Sequence, residues 1–435
     1  MAMVVGCSAH EPVVGLPQVT PVVPCTGELG FPGRPLLPLR TGPIAAQDLD
    51  GDGFNDLVVA DVDGSLHVAL GHGDGTFADI QTDDVSVGDF EGFDDLALRD
   101  IDGDGVPDIV AALFSQDPEV ENAVAVMRGR GDGTFADAVL LLPDSYGTAI
   151  ALGDLDGDHV LDIVVVGYDV NARTPTLSIM RGGGDGSFAP PTSYPMPVLL
   201  PGPIGPDSGN SVAVGDLDGD GKPEVVVGSR GGGLALFHND GTGAFETPSV
   251  FAPSLVVHGV AIADVTGDGT PDVVALTAVG NQAMTAVSVF PSNAGSLGIQ
   301  RDVPTGVIYG LHLVLADLDG DGALDALIDG ASLFGDGAGG FGPPVAIAAG
   351  GGWGLATADI DGDGLPEVIS TDYDYTAVVH NLGNRAFLTS TSVPLPSPAS
   401  AIQLVDLDGD GALDVVVATA AGRFVLAGDG TRGVS

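Results

Sequence analysis

The sequence predicts an all-β fold, a β-propeller of four-stranded blades. Three observations predict it: a motif that returns about every fifty residues, as propeller blades do, regular punctuation by glycine and proline, and no long amphipathic helical stretch. The motif, D-x-D-G-D-G-x-x-[D/E], begins at Asp48, Asp100, Asp154, Asp216, Asp264, Asp317, Asp359 and Asp406. Eight copies predict eight blades, or seven if one copy does not build a full blade. The 68 glycines and 31 prolines suit many short strands joined by tight turns.

The flanks of the motif repeat as well. A short strand of small residues precedes it, as at Ala149 to Gly153, Ser211 to Gly215 and Gly259 to Ala263. Small side chains suit an innermost strand, where blades crowd the axis. An apolar run follows it: Leu57 to Ala60, Ile109 to Ala112, Ile163 to Val166, Val225 to Val227 and Val415 to Ala418. Such runs without polar alternation predict strands covered on both faces. A third strand then ends in a Gly-Asp-Gly turn leading to Phe, as at Gly73 to Phe77, Gly131 to Phe135 and Gly184 to Phe188, and more loosely at Asn239 to Phe245. A weaker fourth strand completes the unit. The last copy stops after its third strand, so Leu36 to Arg40 is expected to supply the missing outer strand and close the ring, removing two exposed edges. The propeller is therefore expected over residues 34–435.

Composition narrows the function. The chain of 435 residues carries 60 acidic and 13 basic residues, a formal charge of −47, with Lys222 its one lysine. With 44 % hydrophobic residues a core can nonetheless form, so the acid is placed rather than diffuse. A nucleic-acid binder needs a basic face, and an anionic membrane surface is disfavoured for the same reason. No apolar run is long enough for a transmembrane helix.

The motif concentrates the charge. Position 1 is Asp48, Asp100, Asp154, Asp216, Asp264, Asp317, Asp359 and Asp406. Position 3 is Asp50, Asp102, Asp156, Asp218, Thr266, Asp319, Asp361 and Asp408. Position 5 is Asp52, Asp104, Asp158, Asp220, Asp268, Asp321, Asp363 and Asp410. Position 9 is Asp56, Asp108, Asp162, Glu224, Asp272, Asp325, Glu367 and Asp414. With Thr266 the one exception, these hold 31 of the 60 acids. Carboxylates this close repel one another, and few basic residues are near in sequence to neutralise them. A hard dication resolves the conflict, and oxygen-only ligands favour Ca2+ over zinc or copper, and over the more rigidly octahedral magnesium. Glycines at positions 4 and 6 let the backbone curl through positive φ. The position-7 carbonyl (Phe54, Val106, Val160, Lys222, Thr270, Ala323, Leu365 or Ala412) is expected to complete the shell. The layout follows the first half of an EF-hand loop. Up to eight Ca2+ sites result, each contributing roughly 1–3 kcal/mol at millimolar calcium and sub-millimolar affinity. Thr266, a weak ligand, and His159, in place of a position-6 glycine, mark the fifth and third loops as the weakest.

Asp-x-Asp-Gly-Asp-Gly loops followed by an apolar strand and a Gly-Asp-Gly-x-Phe turn resemble the FG-GAP/VCBS repeat family, over nearly the whole chain from about Leu36. The resemblance, shared with integrin α-subunit propellers, some fungal lectins and many bacterial surface proteins, implies a propeller, calcium in the hairpin loops and an extracellular or cell-surface location. It leaves the ligand open, since one fold hosts many functions.

In such a blade the second-to-third loops and the inter-blade links emerge opposite the calcium loops. Tyr146, Tyr309 and Trp353 precede inner strands, and Tyr168, Tyr373 and Tyr375 follow second strands, so these six are expected on the face away from calcium. There they either plug the ends of the core or form a surface that stacks on a glycan or anchors a protein ligand. The chain is not expected to be an enzyme: its histidines are scattered and it has neither H-E-x-x-H nor G-x-S-x-G. The readings carried forward are an adhesion or recognition module, a calcium-stabilised structural scaffold, and a propeller-type polysaccharide-active enzyme.

Before residue 34 lie Cys7 and Cys25, and residues 1–33 are expected to be a signal remnant and tether; the Pro-rich stretch from Pro12 to Pro38 reads as semi-rigid. Val4-Val5-Gly6-Cys7 resembles the end of a bacterial lipoprotein signal, which would make Cys7 a lipid anchor. A Cys7–Cys25 disulfide and two free thiols are the other readings.

Overall fold

A computed structural model describes residues 44–60, 65–72, 90, 92–114, 123–141, 146–169, 174–196, 210–229, 232–242, 244–279, 284–293, 295–308, 312–347, 354–358, 364–371, 375–379, 381–387, 391–394, 399–407, 413–419 and 422–426. Every long regular element among them is a β-strand. The apolar runs after the acidic motif become the second strands of eight antiparallel meanders. In Asp108–Phe114, for example, Ile109, Val110, Ala111, Ala112 and Leu113 are all buried. β-Branched and aliphatic side chains with both faces covered are what a sheet sandwiched between two others requires.

The first strand of each meander pairs with the second in one fixed register. The residue before the motif faces its ninth residue: Gln47 with Asp56, Arg99 with Asp108, Gly153 with Asp162, Gly215 with Glu224, and likewise in the other four sheets. A one-residue slip would turn the apolar second strand's faces over, so the acid that begins it pins the hairpin. Third and fourth strands follow in order, as in Ala123–Met127 and Val139–Leu141. Burial falls outward, from full burial in the third strand to 55 % exposure at Val139. The first and eighth sheets show three strands each among the described residues.

The Gly-Asp-Gly turns form as expected where described. Gly129 bridges Phe135, Gly182 bridges Phe188 and Asn239 bridges Phe245, with the same bridge at Gly335–Phe341 and Asn381–Phe387. In the fifth sheet a small hairpin, Ser292–Asn293 with Ser296–Leu297, takes the turn's place. Gly73 to Phe77 and the proposed closing strand Leu36 to Arg40 lie outside the described residues.

Neighbouring sheets pack face to face. Val164, Val166 and Leu177 of the third meet Val225, Val227 and Phe237 of the fourth, and Leu57, Val59 and Ala69 of the first meet Val405, Leu407 and Val416 of the eighth. Each buried side chain of this size contributes roughly 1.5–3 kcal/mol. The first strands of successive sheets lie beside one another, and that of the eighth, Ala399–Val405, lies beside that of the first, Ile44–Gln47. Their small residues have a steric cause. A Cβ on Gly153 would stand 2.9 Å from Val214 Cγ1, and one on Gly215 2.9 Å from Ile262 Cγ2, each in the next sheet. Among the described residues no helix is long and apolar enough to cross a membrane.

Candidate metal centre

Each acidic motif is the turn between a first and a second strand. In the first loop, Asp48 Oδ1 accepts from Gly51 N at 2.8 Å and Oδ2 from Gly53 N at 3.0 Å. Asp50 Oδ1 accepts from Asp52 N at 3.1 Å, and Asp52 Oδ1 from Phe54 N at 2.8 Å. The turn thus winds around its own carboxylates. Gly51 and Gly53 have φ of 78° and 92°, a region in which a Cβ is penalised. His159 holds the same place in the third loop at φ 69°, and its N–H still reaches Asp154 Oδ2 at 2.9 Å. The expected left-handed turn forms there without glycine.

The winding gathers acids. One carboxylate oxygen from each of Asp48, Asp50 and Asp56 lies within 4.8 Å of the others, and the same holds for Asp100, Asp102 and Asp108, for Asp216, Asp218 and Glu224, and for Asp317, Asp319 and Asp325. These are positions 1, 3 and 9. In the third loop the gathered set is Asp154, Asp156 and Asp158, positions 1, 3 and 5. The fifth loop brings Asp264, Thr266, Asp268 and Asp272 onto one turn of the same hydrogen-bonding pattern. Glu367 and Asp414 are fully buried at the starts of their strands. Asp359, Asp361, Asp363, Asp408 and Asp410 lie outside the described residues, while Asp406 lies at the edge of its described strand.

Position 9 has a second task that its spacing did not reveal. Asp56 is fully buried, with Oδ2 accepting from Leu49 N at 2.7 Å and Oδ1 from Gly71 N at 2.7 Å. It ties the loop to the end of the third strand. Asp108, Asp162, Asp272 and Asp325 make the same two kinds of bond. Burial pushes the Asp56 and Asp325 carboxyls up to about 6, against the lowering effect of those N–H groups, and the position-3 and position-5 carboxylates push further in the same direction. Burial and the nearby Asp218, Asp216 and Asp220 raise Glu224 to about 7. Asp108 and Asp162 are raised for the same reasons. These five loops therefore store repulsion that a cation would relieve.

The donor set fits such a cation. All side-chain donors are oxygens, and a carboxylate oxygen that accepts one N–H keeps a lone pair free. Asp156 Oδ1 and Thr266 Oγ1, both at position 3, are buried without a hydrogen-bond partner. An unpaired buried acceptor is costly, and a hard cation would supply the partner.

The structure also places basic side chains on the loops, three of them arginines distant in sequence. Arg181 Nη1 is 3.1 Å from Asp156 Oδ2 and Arg128 Nη1 is 3.8 Å from Asp102 Oδ2. Arg385, from the seventh sheet, places Nε 2.6 Å from Asp319 Oδ2 in the sixth, and its guanidinium stacks 4.8 Å from the Phe334 ring centre. Lys222 Nζ is 3.3 Å from Asp220 Oδ2. The sequence expectation of loops with little basic neutralisation is thus corrected for four of them.

The family model described as the FG-GAP-like repeat matches residues 48–111, 100–165, 166–227, 216–275 and 359–417, together more than half of the chain. The chain belongs to the FG-GAP repeat family. Among solved structures, this FG-GAP chain is similar to a lectin of Agrocybe aegerita that recognises non-reducing terminal N-acetylglucosamine, at 18 % identity and a TM-score of 0.51, covering 88 % of this chain and 100 % of that one. The likeness shows the propeller fold. Others include the Dos1 propeller (12 % identity, TM-score 0.49, 88 % of this chain and 87 % of that one) and BBS1N in complex with ARL6DN (13 %, 0.46, 90 % and 91 %). A search of curated proteins finds no match.

FG-GAP loops are also stapled between sheets, by residues that sequence reasoning passed over. Asn239 Nδ2 donates to Leu155 O at 2.7 Å and Asn381 Nδ2 to Leu318 O at 2.5 Å, while Ser292 Oγ donates to Leu217 O. Each acceptor is position 2 of the preceding sheet's loop. The signal was available in the repeat alignment: Asn239 and Asn381 stand where Gly129, Gly182 and Gly335 stand in other sheets.

Of the aromatic residues expected on the opposite face, Tyr146 pairs with Tyr168 at the end of the third sheet away from its acidic loop, and Tyr375 begins a third strand. Tyr309, Trp353 and Tyr373 lie outside the described residues.

Proposed function

We propose that this chain is a calcium-loaded FG-GAP propeller of eight blades closed into a ring, acting outside the cell or on its surface as a non-enzymatic recognition module for a glycan or protein ligand. Five oxygen-only clusters at equivalent turns, each with three carboxylates within 4.8 Å, carry the calcium part of this reading. Carbohydrate is the first ligand class to screen, because the propeller-fold lectin of Agrocybe aegerita recognises terminal N-acetylglucosamine. The aromatic residues from Tyr146 to Tyr375 on the face away from the loops are the proposed contact surface. The segment before residue 34 serves in this reading as a tether, with Cys7 as a lipid anchor.

The test has two steps. Stripped protein should take up calcium in equilibrium dialysis against 45Ca2+ and melt at a higher temperature with calcium than with EGTA. A glycan array, with and without calcium, should then give binding that substitutions of Trp353 and Tyr373 abolish. No calcium uptake and an unchanged melting curve would refute the first step, and array binding indifferent to both substitutions the second.

A second reading, a calcium-stabilised scaffold, is favoured by the staples of Asn239, Ser292 and Asn381, which couple the third, fourth and sixth loops to the next sheet. It predicts full calcium dependence of stability and no array signal.

A further inference from the structure

The first strands carry a repeating pattern that is broken in one sector. The residue one before the motif is Gly153, Gly215, Ala263, Ala316, Ala358 and Val405 in six sheets, but Gln47 in the first and Arg99 in the second. The residue three before it is Ala45, Ala97, Ala151, Ala213, Ala261, Val314 and Ala356 in seven sheets, but Gln403 in the eighth. These two positions share one face of a strand. Elsewhere they are small or apolar, and at Gly153 and Gly215 the next sheet leaves no room for a Cβ. The three polar exceptions fall on three consecutive sheets, the eighth, first and second, and line one cleft of roughly 250 Å³ together with Ala45, Ala97 and Leu96. It lies at the acidic-loop end, since Gln47 and Arg99 immediately precede Asp48 and Asp100.

Arg99 stands in a chain of formal charge −47. Arg128, Arg181 and Arg385 each pair with an aspartate. Arg99 is exposed and has no carboxylate partner among the described residues; its Nη1 donates only to the neighbouring Leu98 O, at 2.8 Å. The rest of its guanidinium fork, which matches a planar carboxylate with two parallel N–H bonds, has no partner among the described residues. Gln47 and Gln403 are half-buried, and a carboxamide both donates and accepts, as a hydroxyl beside a carboxylate requires. The volume lies just below the roughly 300–1,000 Å³ of drug-sized ligand sites, which leaves space for one sugar-sized group.

We propose that this cleft binds a small hydroxylated carboxylate, a sugar acid, with Arg99 on the carboxylate and Gln47 and Gln403 on its hydroxyls. The site is distinct from the aromatic face and from the calcium loops. At physiological salt, acids more than about 8 Å away are largely screened; the nearer Asp48 and Asp100 are acids that bound calcium would neutralise, and to that extent the proposal rests on the calcium reading.

The test is a ligand-observed NMR titration of the full chain in calcium buffer with galacturonate, and with galactose as the probe that lacks the carboxylate. Galacturonate should saturate, binding at least tenfold tighter than galactose. Its Kd should rise at least tenfold in Arg99→Ala and several-fold in Gln403→Ala. Both variants place alanine where other sheets already carry it, so their melting temperatures should match the parent. The galacturonate–galactose contrast in the unaltered chain needs no variant at all. No saturation at tens of millimolar, equal affinity for the two sugars, or an unchanged Kd in Arg99→Ala each overturns the proposal. The last is also what galacturonate held by loop calcium would give. Calcium uptake and melting with EGTA are read separately, so failure here leaves the calcium reading standing.

Discussion

The first and sixth acidic loops have the same spacing, the same hairpin register and the same gathering of positions 1, 3 and 9. They differ in what answers the charge. No basic side chain is within salt-bridge distance of the first loop among the described residues, whereas Arg385 reaches across from the seventh sheet to Asp319 and Asp321 in the sixth, at 2.6 and 3.6 Å. In both, burial and repulsion still hold the position-9 carboxyl at about 6. A guanidinium at the rim thus answers Asp319 and Asp321 and leaves the position-9 Asp325 unrelieved. A dication within the turn would answer all of them, which separates a metal from a salt bridge as the stabilising partner.

The largest expected effect is that of removing the metal from every loop at once. A ligand present at 100 times its dissociation constant stabilises the folded state by about 2.7 kcal/mol per site. Even a few loaded loops would therefore amount to most of a domain's usual stability of 5–15 kcal/mol. Thermal unfolding in EGTA should start far below that in millimolar calcium. Coincident curves would show that arginines and hydrogen bonds suffice, and would erase the difference drawn between the loops.

Acidity should act next, with opposite signs in the two states. The folded-state values of Asp56, Asp325 and Glu224 lie above those of the unfolded chain, so the folded protein holds protons that the unfolded one has released. Their contribution is fully present below about pH 4, is lost through about 6 for the two aspartates, and is lost through about 7 for the glutamate. Metal-free protein should therefore melt higher at pH 5 than at pH 7.5. With calcium the order should reverse, because protons displace the metal. A metal-free protein that gains stability between pH 5 and 7.5 would contradict the buried-acid picture.

Much of this was legible in the sequence. The eight motifs located eight hairpins, and the apolar runs marked second strands to within a few residues, because a strand covered on both faces needs unbroken apolar character. Positive φ at Gly51, Gly53 and even His159 followed from the need to turn N–H groups inward. The partners lay out of reach. Arg385 is 66 residues from Asp319 and Asn239 is 84 from Leu155, so only the stacking of sheets brings them together. The double role of position 9 was hidden for a different reason: spacing shows that an acid is present, while the N–H of Gly71 that shares it comes from another strand.

Single-loop substitutions sharpen the comparison further. Asp50→Asn should remove one calcium equivalent and about 1–3 kcal/mol of calcium-dependent stability, with little change in EGTA. Arg385→Gln should do the reverse. It should lower stability slightly in EGTA, as expected for an exposed ion pair with a cation–π contact, and it should tighten calcium binding in the sixth loop by removing a competitor for Asp319. Equal effects of the two in EGTA, by calorimetry, would mean that the loops are neutralised alike.

The smallest effect belongs to His159→Gly in the third loop. His159 pays for a left-handed backbone that glycine adopts freely, but glycine also loses more freedom on folding, so net stability should change by under about 1 kcal/mol. Calcium affinity should respond more clearly. His159 Nδ1 stands 3.6 Å from Asp154 Oδ2, so the ring crowds an oxygen that the metal would use. Replacing it with glycine should raise the third loop's calcium affinity a few-fold, as read by calcium titration. No gain would show that neither the ring nor the strained φ limits this loop.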